Sequence, residues 1–220
     1  MKNTIKLFWF IAICAIIGFS MTGCPTDSDS SSGNKKMTYK VGDTGPGGGI
    51  IFYVDKVGFT VEGYGSVGET GYFASYTAHY LEAAPTNVGS TSWASNNIMI
   101  SGLSQNETDN TDWAIGRGMK NTAIIIAFGV DNGYTTNAAS NCVDPYNAGG
   151  SKTDWFLPSK NELNQLYINR DYVDNMGTLR YWSSSQHSSS SGVWNQTFSD
   201  GIQQGYYEGN NANVRPIRAF

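Results

Sequence analysis

Apolar and polar positions divide the chain into three stretches. Leu7–Phe19 is an apolar run of 13 residues. Residues 25–36 (PTDSDSSSGNKK) hold nothing that could join a core. From Val41 onward, apolar positions recur with strand and helix periods. Gly48–Asp55 (GGIIFYVD) is rich in β-branched and aromatic residues and predicts a strand, as does Tyr80–Ala84, which ends at Pro85. Ser92–Asp112 predicts a long polar loop carrying Trp93 and the short apolar Ile98–Ile100. Arg117–Phe128 predicts a helix: Met119, Ala123, Ile126 and Ala127 fall on one stripe, and Gly129 and Gly133 stop it. Asn137–Val143 (NAASNCV) fits a short helix, and Asp154–Leu157 a short strand. A second long helix follows, punctuated by Pro158 and by Ser159 and Glu162 at capping-box spacing, with Leu163, Leu166 and Tyr167 facing one way. Arg180–Ser184, Val193–Phe198, Gln203–Tyr207 and Val214–Ala219 predict strands, the middle two joined by a Ser199-Asp200-Gly201 hairpin turn.

The apolar run at the N-terminus is too short to span a bilayer, which takes roughly 20 residues. With Lys2 and Lys6 before it, the run fits the core of an export signal. Met21-Thr22-Gly23-Cys24 resembles a lipobox, in which the signal is removed before the cysteine and the cysteine is acylated. An ordinary signal peptide with an incidental cysteine, or a retained anchor, are the alternatives. The lipobox resemblance implies a signal peptide at 1–23, a lipidated disordered tether at 24–38 and one folded domain at 39–220. It also implies lipid attachment at Cys24 and a place in the cell envelope, at the outer membrane or cell surface. Twelve tether residues span about 20 Å on average, at ~5–6 Å × √n. With Cys14 in the signal and Cys24 acylated, Cys142 has no partner for an intrachain disulfide and reads as a small buried hydrophobe.

Composition narrows the function. Charged residues make up 15% of the chain and the net charge is −4, so no basic excess is available to neutralise the phosphates of nucleic acid. Several motifs give way to plainer explanations. Gly63–Gly68 (GYGSVG) matches a dinucleotide-binding pattern, but no apolar helix opens at Gly68, and a hairpin loop explains the glycines better. Gly42–Gly48 (GDTGPGG) is far too short for collagen and predicts a turn into the first strand. Glu107, Asp109 and Asp112 could grip Ca²⁺ through oxygen, but without the spacing of an EF-hand. No cofactor is expected. Arg215 and Arg218, on the last strand, are expected to form ion pairs with Glu162 or Asp154.

The order and spacing of several segments carry a family resemblance. They are Val41–Tyr53 (VGDTGPGGGIIFY), Leu81–Pro85 (LEAAP), Asp154–Leu163 (DWFLPSKNEL), Tyr181–Ser185 (YWSSS) and Val214–Phe220 (VRPIRAF). Together they resemble the bacterial domain of unknown function 1566, also called the Lcl C-terminal domain. The resemblance implies an α+β domain of the C-type-lectin-like fold, in its formylglycine-generating-enzyme-like branch. That means two helices, small antiparallel sheets and long ordered loops. It does not imply an enzyme: the formylglycine chemistry uses a cysteine pair, and its iron-dependent relatives use a histidine cluster. Calcium-dependent sugar binding is not supported either, because Trp194-Asn195-Gln196 lacks the acidic residue of such sites.

Residues 181–220 also resemble the variable region of spirochaete lipoproteins diversified by retroelements. Trp182, Ser183–Ser185, Trp194, Phe198, Gly201 and Arg215 form a fixed frame. Between them, His187, Ser188, Gly192, Thr197, Asp200, Ile202, Gly205, Tyr206, Tyr207, Gly209 and Ala212 are each reachable from an Asn codon by changing its two adenines. Drift in a polar loop would give similar residues. Independently of the family, residues 187–213 hold five Ser, four Gly, four Asn and two Tyr, a composition suited to adaptable recognition. The expected function is ligand binding, to a protein or a glycan, as in an adhesin, by a membrane-anchored surface lipoprotein. An envelope structural or assembly role is the alternative. Strand alternation predicts Trp182, Trp194 and Phe198 inward and Val193, Asn195 and Thr197 outward. The expected ligand patch gathers His187, Thr197, Asp200, Ile202, Tyr206 and Tyr207.

Overall fold

A computed structural model describes residues 38–95, 98–104, 111–143, 152–188 and 192–220. The expected signal, Cys24 and most of the tether lie outside the described residues, as do Glu107 and Asp109. In chain order the elements are β1 (Ile50–Val61), β2 (Tyr76–Ala83), β3 (Ser90–Ser92), α1 (Gly118–Asn132), α2 (Asn137–Val143), α3 (Lys160–Ile168), β4 (Arg180–Gln186), β5 (Gly192–Thr197), β6 (Gln203–Tyr207), β7 (Asn211–Asn213) and β8 (Ile217–Ala219). Single 3-10 turns lie at Thr111–Trp113 and Arg170–Tyr172. The domain is α+β, with three α-helices among the described residues rather than two. One sheet has the order β1-β2-β8 and the other β3-β7-β4-β5-β6. All pairings are antiparallel except β4 with β7, which run parallel at Tyr181–Asn213.

Local chemistry explains most of these elements. β1 runs past its expected end at Asp55 because the chain bulges there and resumes pairing at Phe59. Asp55 Oδ1 accepts the N–H groups of Val57 and Gly58, which satisfies the bulged backbone. The glycine-rich opening is a cradle for one carboxylate. Glu82, fully buried on β2, accepts from Gly47 N–H at 2.9 Å and Gly49 N–H at 2.7 Å. A Cβ on Gly45 would lie 2.4 Å from the Glu82 carboxyl carbon, and one on Gly49 would lie 1.9 Å from the Ala83 carbonyl oxygen. These glycines are required by close approach. Gly63–Gly68 lies in the loop between β1 and β2, closed by a Tyr64–Phe73 bridge.

α3 carries the expected capping box: Ser159 Oγ accepts from Glu162 N–H, and Glu162 Oε2 accepts from Ser159 N–H at 2.7 Å. α1 continues through Gly129 and ends at Gly133, which takes the left-handed conformation at φ 69°. Its buried face is Gly118, Asn121, Thr122, Ile125 and Gly129. The expected stripe of Met119, Ala123, Ile126 and Ala127 is half-buried and lines an open groove with Phe73 and Trp155. The reason is close packing at the start of the helix: a Cβ on Gly118 would lie 2.2 Å from a Glu162 oxygen, so the face that approaches Glu162 begins with glycine and the hydrogen-bonded Asn121 and Thr122, and Ile125 follows one turn on.

The central strand of the five-stranded sheet, β4, is buried on both faces. One core cluster joins Trp93, Ile98, Ile100, Leu103, Trp182, Val193 and Val214; the other joins Phe52, Leu81, Phe156, Leu163, Leu166, Tyr181, Phe198 and Ile217. Consecutive residues Tyr181 and Trp182 serve opposite clusters. The segment expected as a polar loop therefore supplies five core residues, Ala94 included, because it folds back over one face of the sheet. Trp93 Nε1 donates to Ser183 O and Trp182 Nε1 to Thr91 O, so each indole also fastens the neighbouring strand. Cys142 is fully buried in the first cluster, and burial pushes its thiol well above the ordinary range.

The terminal arginines divide their work differently from expectation. Arg218 pairs with Asp154 at 2.7 Å and with Glu82 at 3.1 Å. Arg215 meets no carboxylate. It is fully buried and donates to Asn87 Oδ1 and the carbonyls of Ala84, Asp174 and Asn175, and burial lowers its pKa to about 10. Glu162 reaches neither; its partners are backbone N–H groups of Ser159 and Gly116.

Candidate functional site

β5 and β6 form a hairpin with Val193 opposite Tyr206 and Trp194 opposite Gly205. Partners across an antiparallel pair share a face, and faces alternate along each strand. Val193, Thr197, Ile202 and Tyr206 therefore lie on one face, with Arg180, the register partner of Thr197. Trp194, Gly205 and Tyr207 lie on the other. The expected single patch is divided by the sheet. Thr197, Ile202 and Tyr206 stay together; His187 and Tyr207 belong to the opposite face; Asp200 is exposed in the turn, where its Oδ1 accepts from Ile202 N–H at 3.0 Å.

Two members of the expected outward set face the interior. Val193 and Asn195 are fully buried, whereas Trp194 is only half-buried. Alternation holds, but its consequence is inverted because a helix covers one face and the 93–103 segment the other. Trp182 and Phe198 are buried as expected.

On the helix face, Trp194 and Trp113 meet edge to face at 5.3 Å, and the Lys160 ammonium lies 3.4 Å and 3.9 Å from their ring centroids. His187 packs on Trp194 at 4.6 Å. A Cβ on Gly205 would lie 2.8 Å from the His187 ring, so that glycine leaves room for the imidazole. The cage is filled by the protein's own lysine, and its packing is structural.

On the other face, an open cleft of about 380 Å³ is lined by Ser90, Leu179, Arg180, Thr197, Asn211 and Asn213, among others. The Arg180 guanidinium lies 4.7 Å from the Tyr206 ring centroid, and Tyr206 in turn packs on Trp182 at 5.6 Å. The sequence singles out Thr197 and Tyr206 but passes over Arg180. Nothing in the order of residues shows that an arginine before the Tyr181-Trp182 pair would point into a cleft.

Among the described residues, no cluster of His, Cys, Asp or Glu is arranged to hold a metal. Asp112, the one described member of the acidic loop, is buried and paired with Arg117. No helix among the described residues is long and apolar enough to cross a membrane.

A small α+β domain whose C-terminal strands build an open, hydroxyl- and amide-lined cleft is thus defined. Residues 77–218 match the Lcl C-terminal domain, and the chain belongs to that family. The match begins within β2, so the glycine cradle and β1 lie before it. No curated protein matches the chain.

Proposed function

We propose that the protein is a membrane-anchored surface lipoprotein of C-type-lectin-like fold. Its C-terminal strands bind a protein or glycan ligand, in the manner of an adhesin. The observation that carries this reading is the cleft. Arginine, hydroxyl and amide groups converge there on an open surface, with Tyr206 packed against the arginine, a mix suited to binding. The sequence-diversified variant of the reading is supported by the same geometry. Frame residues Trp182, Ser183–Ser185, Phe198 and Arg215 are buried and Trp194 and Gly201 are partly exposed, whereas the variable positions Thr197, Asp200, Ile202, Tyr206, Tyr207 and Gly209 are partly or fully exposed. Gly192 and Ala212 are the buried exceptions.

The test is binding to an array of extracellular proteins and glycans. Ile202→Ala should keep the melting temperature within a few degrees, since exposed changes stay within about 0.5 kcal/mol. Thr197→Tyr, which fills the cleft, should abolish capture of the array ligand, and Val57→Ala, far from it in the sheet order, should not. Capture unchanged by Thr197→Tyr would overturn the proposal.

The anchor has its own test. Cys24→Ala should move the protein from the membrane to the soluble fraction, because the acyl chains supply the attachment. Retention in the membrane fraction would show that the lipid is not the anchor.

A further inference from the structure

Resting on the proposed binding role, we infer that the cleft takes a carboxylate: the Asp or Glu side chain of a protein partner, held by Arg180. Five arginines lie among the described residues. Arg117 pairs with Asp112 and Glu62, Arg218 with Asp154 and Glu82, Arg215 meets four oxygen acceptors, and Arg170 donates to Tyr167 O. Arg180 is the exception. No hydrogen bond is formed by its guanidinium among the described residues, and its Nε is shielded from solvent with no acceptor. The Nε lies out of a ligand's reach, but the half-buried guanidinium lines the cleft, and its terminal amino groups, which have no hydrogen-bond partner among the described residues, are what an incoming acceptor can meet.

The surroundings fit this chemistry. Stacking on Tyr206 fixes the plane of the guanidinium, which removes the side-chain freedom that a bidentate contact would otherwise have to freeze. The remaining polar lining is neutral: Ser90, Thr178, Thr197, Ser199, Asn211 and Asn213. Among the described residues no carboxylate lines the cleft, and Asp200 in the adjoining turn is engaged with Ile202 N–H. An incoming carboxylate therefore meets one unpaired cation and no repelling charge at the cleft wall. A planar acid matches the arginine fork with two parallel hydrogen bonds.

The rim points to a protein rather than a sugar. Leu179 is 68% exposed and Ile202 is 55% exposed, and their carbonyls accept from Phe198 N–H and Thr197 N–H, so they flank the strand end that borders Arg180. Exposed aliphatic side chains beside an arginine and a tyrosine resemble the centre of a protein interface. A pyranose would gain little from Leu179 and Ile202. The cleft volume of about 380 Å³ suits one side chain and its flanking backbone.

The probe is acetyl-Leu-Glu-Leu-amide, titrated into the ¹⁵N-labelled folded domain. It should shift the Arg180 Nε–Hε resonance together with the amides of Thr197 and Asn213. The Gln counterpart should bind at least tenfold more weakly. Arg180→Lys, which keeps the charge but loses the fork, should weaken the Glu peptide at least tenfold, and Arg180→Gln further. Equal binding of Glu and Gln peptides overturns the inference. So does an equal response to acetate or sulfate at the same concentration, which would mark an adventitious ion only, or tighter binding of methyl glucuronide, which would make the ligand an acidic sugar. If array capture survives Arg180→Gln but is lost with Thr197→Tyr, the carboxylate inference falls while the binding role stands. Capture surviving both variants removes the binding role itself.

Discussion

Glu82→Ala is expected to destabilise the domain by about 3–5 kcal/mol, the cost of removing one partner from a buried charge pair. The carboxylate has no exposed surface and links three parts of the chain: the Gly45–Gly49 turn through two backbone N–H groups, β2 itself, and Arg218 on β8. Alanine would orphan the Gly47 and Gly49 N–H groups and leave Arg218 with Asp154 alone. In a domain of this size each kcal/mol moves the melting temperature by about 2–4 °C. A fall of roughly 10 °C is therefore expected by differential scanning calorimetry. Asp154→Ala should cost much less, because Asp154 is partly exposed and Arg218 keeps Glu82. A Glu82→Ala loss under about 1 kcal/mol would show that the glycine turn is held by something else.

Stability is expected to fall as pH rises from 5 to 8, through two buried glutamates. Burial pushes the Glu162 carboxyl up to about 7, against hydrogen bonds from Ser159, Gly116 and Gly118 that favour its ionised form. Burial also pushes Glu208 up to about 7, opposed by the Ile98 N–H. In the unfolded chain both titrate near the ordinary carboxylate value. Between about pH 4.5 and 7 the folded state holds the extra protons, so their stabilisation is complete below that window and is lost as pH rises through the folded pKa. For Glu162 the swing is on the order of 3 kcal/mol.

Glu208→Gln separates the two. Glu208 Oε2 is buried without a partner, while Oε1 accepts from Ile98 N–H. Glutamine keeps the acceptor and carries no charge, so the variant should match the native protein at pH 5. At pH 8 it should exceed it by roughly 2 kcal/mol in urea denaturation. Native stability that is flat or rising between pH 5 and 8 would contradict the assignment.

The sequence alone predicts the elements whose signals are local. The α3 capping box, the α2 segment, the β5–β6 hairpin and the stop at Gly133 are set by side chains within a few residues of the backbone they satisfy. Elements that depend on distant partners were not legible in the same way. The end of β1 was set by a bulge whose second half pairs with β2, and the buried face of α1 by the closeness of Glu162. Segment 93–103 reads as polar because its apolar residues are spaced without a period, yet Trp93, Ile98, Ile100 and Leu103 reach a common cluster.

The C-terminal block shows the same division. Its composition suits adaptable recognition, and alternation within each strand follows from the chain geometry. Which face is open is decided by what packs on the sheet. α3 and the Trp113–Lys160–Trp194 cage cover part of one side, and alternation places His187 and the exposed Tyr207 on that side, opposite Tyr206 and Thr197. Arg180 carries no local signal, because its want of a partner among the described residues depends on how the tertiary structure pairs the other charges. Sequence thus determined the family, the α+β class and the strands proposed to bind, since these rest on short-range patterns. Only tertiary structure decided which face carries the cleft and its arginine, since burial and charge pairing are set by residues far apart in the chain.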